Sequence, residues 1–433
     1  MYADRRERFL QQMGQGVAVL PAAPVHIRNN DVEHAYRQDS DFFYLTGFDE
    51  PESVLVLTNQ HPDHRVVLFV RPRDPTREVW DGPRAGVDGA VAQFGADAAF
   101  PIGELLDRLP DYLANVHRLH YRVGLDRVFD DQMFRALDRV RARARTGVSV
   151  PGEIVDPALV LHEMRVRKSD GELRAMECAA AITREAHLRA MEIARPGRFE
   201  YEVEAEILRT FRAHGSERPA YGAIVGSGPN ATILHYRKND RRMEDGDLLL
   251  IDAGAEYSYY ASDVTRTFPV SGRFTDEQRR VYDLVLDAQS AAISAVRPGA
   301  TIEQVHDAAV RVLVSGMLDL GLLKGTLDEA LESSSYKAFY MHRTSHWLGM
   351  DVHDVGCYHV SGQPRAMEEG MVLTVEPGLY VSPAAEVDPR WCGIGVRIED
   401  DVVVTRDGYR VLTADIPRQA SELEAILARR SAA

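Results

Sequence analysis

The chain has 433 residues, 45% of them hydrophobic and 27% charged, a balance that fits a soluble globular protein of two or three domains and excludes a disordered or collagenous chain. Its net charge of −15 argues against nucleic-acid binding, which needs Lys and Arg against phosphate. Its longest apolar runs, such as Leu248–Ile251, are far below the roughly 18 residues of a membrane span. The three cysteines, Cys178, Cys357 and Cys392, are too scattered for a disulfide framework or a thiolate zinc site. A charged N-terminus with no apolar run after it predicts a cytoplasmic protein.

From residue 1 to 165, apolar runs at Gly16–Leu20, Ser53–Thr58 and Arg65–Val70 predict strands. Acidic first turns predict helices over Glu104–Val116 and Asp130–Ala144. Pro110 should kink or split the first of these, because it lacks an N–H and crowds the preceding turn. Trp80 reads as a structural aromatic. The alternation predicts a small α/β domain. The Pro-Gly segment Val150–Pro157 sets a boundary near residue 165, leaving 166–433 as a second domain.

That second domain opens with a long helix. Ser169 and Glu172 form its capping box, and it ends at Arg195-Pro196-Gly197. The pattern returns 102 residues on, where a helix opened by Thr275 and Gln278 ends at Arg297-Pro298-Gly299. Each Arg-Pro-Gly leads into a further helix that stops at a glycine, Gly215 or Gly321. Pro-Gly commonly ends helices, so chance is one reading. The other is a duplicated α/β half, with the two halves facing each other across a cleft.

The chemistry-bearing residues lie between and after these helices. Leu248–Asp252 is an apolar strand ending in Asp, and Asp263 follows eleven residues later. A hairpin turning between Tyr257 and Ser258 would set Asp252 opposite Asp263, with Cβ atoms about 5 Å apart. Carboxylates that close repel unless a cation or a proton lies between them. No glycine marks the turn, and unrelated aspartates on a longer, irregular turn are the alternative. Gly226-Ser-Gly228-Pro-Asn lacks the third glycine and the lysine of a phosphate loop and reads as a tight turn before a strand bearing His235.

His342, His346 and His353 fall within twelve residues, an enrichment typical of metal or proton-transfer sites. Gly349 and the β-branched neighbours make their path irregular or extended. No Glu follows His342, so the H-E-x-x-H zinc motif is absent. Glu376 ends another apolar strand, with Pro377 holding it out of helical geometry. Arg397 and Glu399 share one face of a third strand. Singly, Glu376 and Glu399 are ordinary strand-end carboxylates. Together with Asp252 and Asp263 they bring a charge of about −4, which cannot be buried uncompensated. Two divalent cations sharing a hydroxide would bring the site near about −1, and oxygen ligands with one imidazole, His346, favour a hard ion such as Mn²⁺.

At these residues the sequence resembles the pita-bread metallopeptidases, and within them the aminopeptidase P family. The segments are Leu250-Ile-Asp252-Ala-Gly-Ala-Glu-Tyr, Ser262-Asp263-Val-Thr-Arg-Thr-Phe-Pro, His342–His353, Thr374-Val-Glu376-Pro-Gly-Leu-Tyr380 and Gly395-Val-Arg397-Ile-Glu399-Asp. Arg37-Gln-Asp-Ser-Asp-Phe-Phe-Tyr-Leu-Thr-Gly-Phe-Asp-Glu-Pro51 extends the likeness over nearly the whole chain.

The resemblance implies a small N-terminal α/β domain ahead of a pita-bread catalytic domain with an internal pseudo-two-fold repeat. It also implies a dinuclear aminopeptidase that releases the residue preceding a proline by attack of a metal-bridged hydroxide. Asp252 would hold one metal, Asp263 and Glu399 would bridge both, and His346 and Glu376 would complete the second. Mn²⁺ is the expected ion, with Co²⁺ or Zn²⁺ as alternatives. Glu376 would also carry the proton to the proline nitrogen. His235, His342 and His353 would line the substrate pocket, with His353 bonding the developing oxyanion. Arg397 would orient a metal carboxylate, and Tyr380 would form pocket wall. Peptides with proline in second place are the expected partners, and the assembly a homo-oligomer, dimer or tetramer. An Xaa-Pro dipeptidase would use the same ligands, whereas a non-enzymatic binding module of this fold would have lost them.

Overall fold

The structure is a computed structural model that describes residues 1–429. The chain divides into two compact units, Met1–Met164 and the remainder from Arg165. Among the described residues no helix is long and apolar enough to cross a membrane.

In the first unit, Val- and Leu-rich runs form the strands Val17–Pro21, Val54–Thr58 and Val66–Val70. With Ala98–Pro101, Arg118–His120 and Glu153–Val155 they make a six-stranded sheet of mixed direction. Alternate side chains, among them Val17, Val19, Val54, Val56, Val67 and Phe69, pack with Leu109, Leu113 and Leu137 of the helices Leu105–Leu113 and Arg127–Arg141. Pro110 does not split its helix. The Leu106 carbonyl, deprived of an N–H by the proline four residues on, accepts instead from Arg139 Nη1 at 2.6 Å. The second helix starts earlier than expected because Asp126 caps it, accepting from the N–H groups of Val128 and Phe129. Trp80 is not a core aromatic. It is 83% exposed on the short helix Pro75–Asp81, which buries none of its residues.

The second unit runs through one order of elements twice. The helices Asp170–Ile193 and Glu200–Ala213 pack as a pair, and the strands Ile224–Ser227, Leu248–Asp252 and Thr265–Pro269 follow. Asp276–Ala295 and Ile302–Asp319 pack as a second pair, followed after a long irregular stretch by Val372–Val375, Asp400–Thr405 and Gly408–Val411. Capping boxes start both long helices, at Ser169 with Glu172 and at Thr275 with Gln278. Val203 and Val305, at matching places in the two second helices, are fully buried. The halves share one core that includes Val225, Ile251, Leu373, Val375 and Val402. Hydrogen bonds also join them: Glu399 N–H donates to the Thr265 carbonyl at 3.1 Å, and Thr267 Oγ1 to the Arg397 carbonyl at 2.9 Å.

The hairpin after Leu248–Asp252 turns one residue later than expected. Ser258 and Tyr259 occupy the turn with φ of 49° and 68°, the left-handed pair that a two-residue hairpin of matching twist requires. The Ser258 N–H is anchored by Glu217 Oε2 at 3.2 Å. Asp252 therefore lies opposite Thr265 and not Asp263. The partner shifts by two places, and because strand side chains alternate with a period of two, Asp252 and Asp263 still share a face. Only glycine fits at position 254 between them, since a Cβ there would fall 1.7 Å from the Ser262 carbonyl oxygen.

His187, on the long first helix, fixes that helix to this strand end. It is fully buried and donates from Nε2 to the Ala253 carbonyl at 3.1 Å. Burial, with Arg266 nearby, lowers its pKa to about 4. The folded state thus keeps His187 neutral while the unfolded chain protonates it, so stability falls as pH drops from roughly 6.5 to 4. We expect this residue to contribute about 3 kcal/mol to that loss. His187→Gln should flatten the slope of denaturation free energy against pH in that window, as chemical denaturation at several pH values will measure.

Candidate metal centre and its cavity

Each of the four carboxylates sits at a strand end or a strand break. Asp252 closes Leu248–Asp252, and Asp263 lies between Tyr260–Ala261 and Thr265–Pro269. Glu376 follows Val372–Val375. Glu399 is not inside a strand: it occupies the break between Gly395–Arg397 and Asp400–Thr405. Ladder pairing stops at such places, which frees the side chains to converge. Asp263, His346 and Glu399 offer ligand atoms all within 4.8 Å of one another, the one such group of three or more among the described residues. His346 Nε2 lies 3.4 Å from Asp263 Oδ2 and 3.6 Å from Glu376 Oε1. Asp252 joins through Tyr221, whose hydroxyl is 2.6 Å from Asp252 Oδ1 and 2.5 Å from Asp263 Oδ1.

The donor set fits a divalent cation. His346 donates from Nδ1 to the Trp347 carbonyl at 3.0 Å, which turns Nε2 toward the carboxylates as the nitrogen that would ligate a cation once deprotonated. Burial and the neighbouring Asp263 and Glu376 charges raise Glu399 well above the usual carboxylate range. Burial likewise raises Glu376, to about 8, against the pull of His346 and Arg397. Asp252 is raised by burial as well, against Arg397. His346 is raised to about 9, because Asp263 and Glu376 outweigh the effect of burial. Negative charge thus exceeds positive charge at this point, and a cation ligated by these oxygens corrects it.

Arg397 supplies part of the compensation. Its Nη2 donates to Asp252 Oδ2 at 2.6 Å and its Nε to Thr265 Oγ1 at 3.0 Å, while Thr265 donates on to Glu399 Oε2 at 2.6 Å. Arg397 therefore orients Asp252 directly and Glu399 through Thr265. Its Nη1 donates at 3.1 Å to the Tyr380 hydroxyl, which donates to His342 Nε2 at 2.9 Å. Tyr380 is not pocket wall as expected. It is 2% exposed and lies behind the lining, because its hydroxyl is drawn inward between Arg397 and His342. Burial, with Arg397, lowers His342 to about 3, so it is neutral.

A cavity of about 610 Å³ opens over these groups and is lined among others by Tyr221, His235, His342, His346, His353 and Glu376, a volume in the range of small-ligand sites. His235 lies in a turn after the 3₁₀ segment Gly228–Thr232 and not in a strand. The segment that carries it is held by the fully buried Glu200, which accepts from Ser227 N–H and Oγ at 2.7 Å, Tyr236 OH at 2.8 Å and Arg241 N–H at 2.9 Å. His353 meets His346 edge to face, with ring centroids 4.5 Å apart.

Sequence reasoning missed Tyr221, Thr265 and Glu200. Thr265 was within reach, since it is two residues from Asp263 and so shares its face. Tyr221, 31 residues from Asp252, carries no local signal.

An apolar two-half fold with an acid-and-histidine cluster at its strand ends defines a metal-dependent hydrolase. The profile of metallopeptidase family M24 matches residues 174–406, and the chain belongs to that family. The aminopeptidase P N-terminal domain matches residues 2–120. The chain is similar to the Xaa-Pro aminopeptidase of Escherichia coli (strain K12), at 47% identity over 98% of this chain and 97% of that protein. The structure of Pseudomonas aeruginosa aminopeptidase PepP superposes with a TM-score of 0.99 at 52% identity, covering 100% of this chain and 98% of that one. Zinc-substituted E. coli aminopeptidase P in complex with product gives a TM-score of 0.96 at 45% identity, covering 99% and 98%. The fold is therefore the two-domain aminopeptidase P arrangement, an N-terminal domain followed by an M24 catalytic domain.

Tyr221→Phe should leave two buried carboxylates without their shared proton donor. A hydrogen bond to a charged group is worth about 1.5–3 kcal/mol, so the metal-stripped variant should unfold at a lower temperature than metal-stripped wild type. Added Mn²⁺ should shrink the difference, because a cation takes over the role of the proton. Equal midpoints in calorimetry would show that the hydroxyl does not bind these acids together.

Proposed function

We propose that the protein is an Xaa-Pro aminopeptidase, a metallo-hydrolase that releases the N-terminal residue from peptides with proline in second place. The observation that carries this reading is the convergence of four carboxylates and one imidazole at the floor of a cavity whose walls bear four further histidines, His235, His342, His353 and His359. The 47% identity to a protein of that activity over almost the full length supports it.

Asp252, Asp263, His346, Glu376 and Glu399 would hold two divalent ions, Mn²⁺ by preference. Asp263 lies against Tyr221 and Asp252 on one side and His346 on the other, which suits a bridging ligand, and Glu399 lies beside it. When bound, the ions supply a water acidic enough to attack at neutral pH and stabilise charge on the peptide oxygen.

The remaining steps belong to the chain. Glu376 faces the cavity beside His346, with its Oε1 3.6 Å from His346 Nε2. It would accept the proton of the attacking water and deliver it to the proline nitrogen, which leaves poorly from a tertiary amide unless protonated. His353, lowered by burial and by His346, would be neutral and would donate a hydrogen bond to the oxygen that gains charge. His235 and His342 would orient the substrate, with Tyr380 and Arg397 fixing the tautomer of His342. The protein would act as a homo-oligomer in the cytoplasm.

Two measurements test this. Chelated protein resupplied with Mn²⁺ should recover hydrolysis of an Xaa-Pro-Xaa tripeptide. Turnover confined to Xaa-Pro dipeptides would instead indicate a dipeptidase. Glu376→Gln should lower kcat by roughly 10²–10⁴-fold, the scale of a lost general acid–base group, and near-normal turnover would remove the proton-carrier role.

A further inference from the structure

The histidine loop is tied down by ion pairs that play no part in the chemistry above. Asp354 directly follows His353 and has a fully buried side chain. Lys168 Nζ lies 2.9 Å from its Oδ2, and Arg165 Nη2 lies 2.7 Å from its Oδ1. The same Arg165 nitrogen is 2.7 Å from Asp351 Oδ2. The side chains of Lys168 and Arg165 are 1% and 3% exposed. Both cations come from one short segment, itself fixed where Lys168 N–H donates to the Gly370 carbonyl at 2.8 Å.

The loop is shaped to receive this clamp. A Cβ at Gly349 would fall 2.1 Å from Asp354 Oδ2 and 2.8 Å from Lys168 Cε, so only glycine allows the backbone to close over the pair. Asp354 N–H donates to the Trp347 carbonyl at 2.9 Å, which completes the turn. Between the two anchored acids only Val352 and His353 remain, and both line the cavity. Among the described residues the His353 imidazole makes no hydrogen bond, and its one ring contact is with His346. Its placement therefore comes from its backbone, and the backbone is held on both sides by charge.

We propose that Arg165, Asp351, Asp354 and Lys168 form a positioning clamp that presents His353 to the substrate carbonyl. This rests on the role given to His353 above. A donor to a developing oxyanion must be in place before the reaction, since reorienting it during the reaction forfeits its benefit. A buried carboxylate between two buried cations is stiff, because moving any partner leaves an unpaired charge in a low dielectric.

The test is steady-state hydrolysis of an Xaa-Pro-Xaa tripeptide by Mn²⁺-loaded protein, with metal content and unfolding temperature recorded for every variant. His353→Ala, Asp354→Asn, Asp351→Asn and the two double variants with His353→Ala form the set. Each Asp substitution should lower kcat by roughly 10–100-fold, the scale of a misplaced catalytic group, with Asp351→Asn at the low end. KM should change less and metal content should not change. In the His353→Ala background neither substitution should cost anything further, since the clamp acts through that imidazole. If Asp354→Asn does not fold, Asp351→Asn decides, because its side chain is 36% exposed. Unchanged kcat in the folded Asp variants while His353→Ala is impaired would overturn the clamp alone. Equal losses with and without His353 would also overturn it, as they mark a general structural role. Unchanged kcat in His353→Ala itself would overturn the reading of His353 and the clamp with it.

Discussion

Asp252, Asp263, Glu376 and Glu399 point toward one another from places that water barely reaches, and their mutual repulsion is what the second unit is built to contain. Two like charges about 4 Å apart at an effective dielectric near 20 repel by about 4 kcal/mol. Every neighbour answers that charge. Tyr221 places one proton between two aspartates, Arg397 binds Asp252, and Thr265 donates to Glu399. These groups reduce the excess without cancelling it, as the upward shifts of Asp252, Glu376 and Glu399 record. A divalent cation held by these oxygens would supply the remainder and would stabilise this core as it binds.

The strands that bring the acids together also sort charge between their two faces. Thr265 and Glu399 face the metal centre, and their chain neighbours Arg266 and Asp400 point away from it. There they meet at 2.7 Å in a fully buried ion pair. Thr413, Gln289 and Arg418 complete the bonding of Asp400. Asp401, two residues past Glu399, accepts from Ser262 Oγ at 2.8 Å and from the Asp263 N–H at 3.2 Å. A period of two thus places the Arg266–Asp400 ion pair behind the carboxylate-rich face. The ligands are oriented by groups that are themselves fixed.

The side proposed to meet substrate is built differently. His235, His342 and His353 come from turns and irregular segments, not from the sheets that carry the carboxylates. Loops bring functional groups over a site but need separate anchoring. Glu200 anchors the His235 segment through buried hydrogen bonds, and buried ion pairs hold the segment around His353. The carboxylates thus come from strand ends, and these histidines from separately anchored irregular segments.

The sequence by itself determined whatever a few neighbouring residues encode. Capping boxes at Ser169 and Thr275 mark the long helices, apolar runs mark the strands, and acids at the ends of those runs mark the candidate metal centre. Even the misplaced hairpin turn left Asp252 and Asp263 on one face, because a slip of two keeps the side-chain alternation. Only the tertiary structure decided the rest. The turn needed left-handed Ser258 and Tyr259, which no glycine or asparagine announces. Tyr380 went behind the pocket because Arg397 and His342 claim its hydroxyl from elsewhere in the fold. Trp80 stayed exposed because its helix buries none of its residues among the described residues. Tyr221, Glu200 and Lys168 meet their partners from 27 to 186 residues away. Caps and strand alternation act over a few covalent neighbours and are written in order along the chain, whereas these contacts depend on how packed elements place distant side chains within about 3 Å.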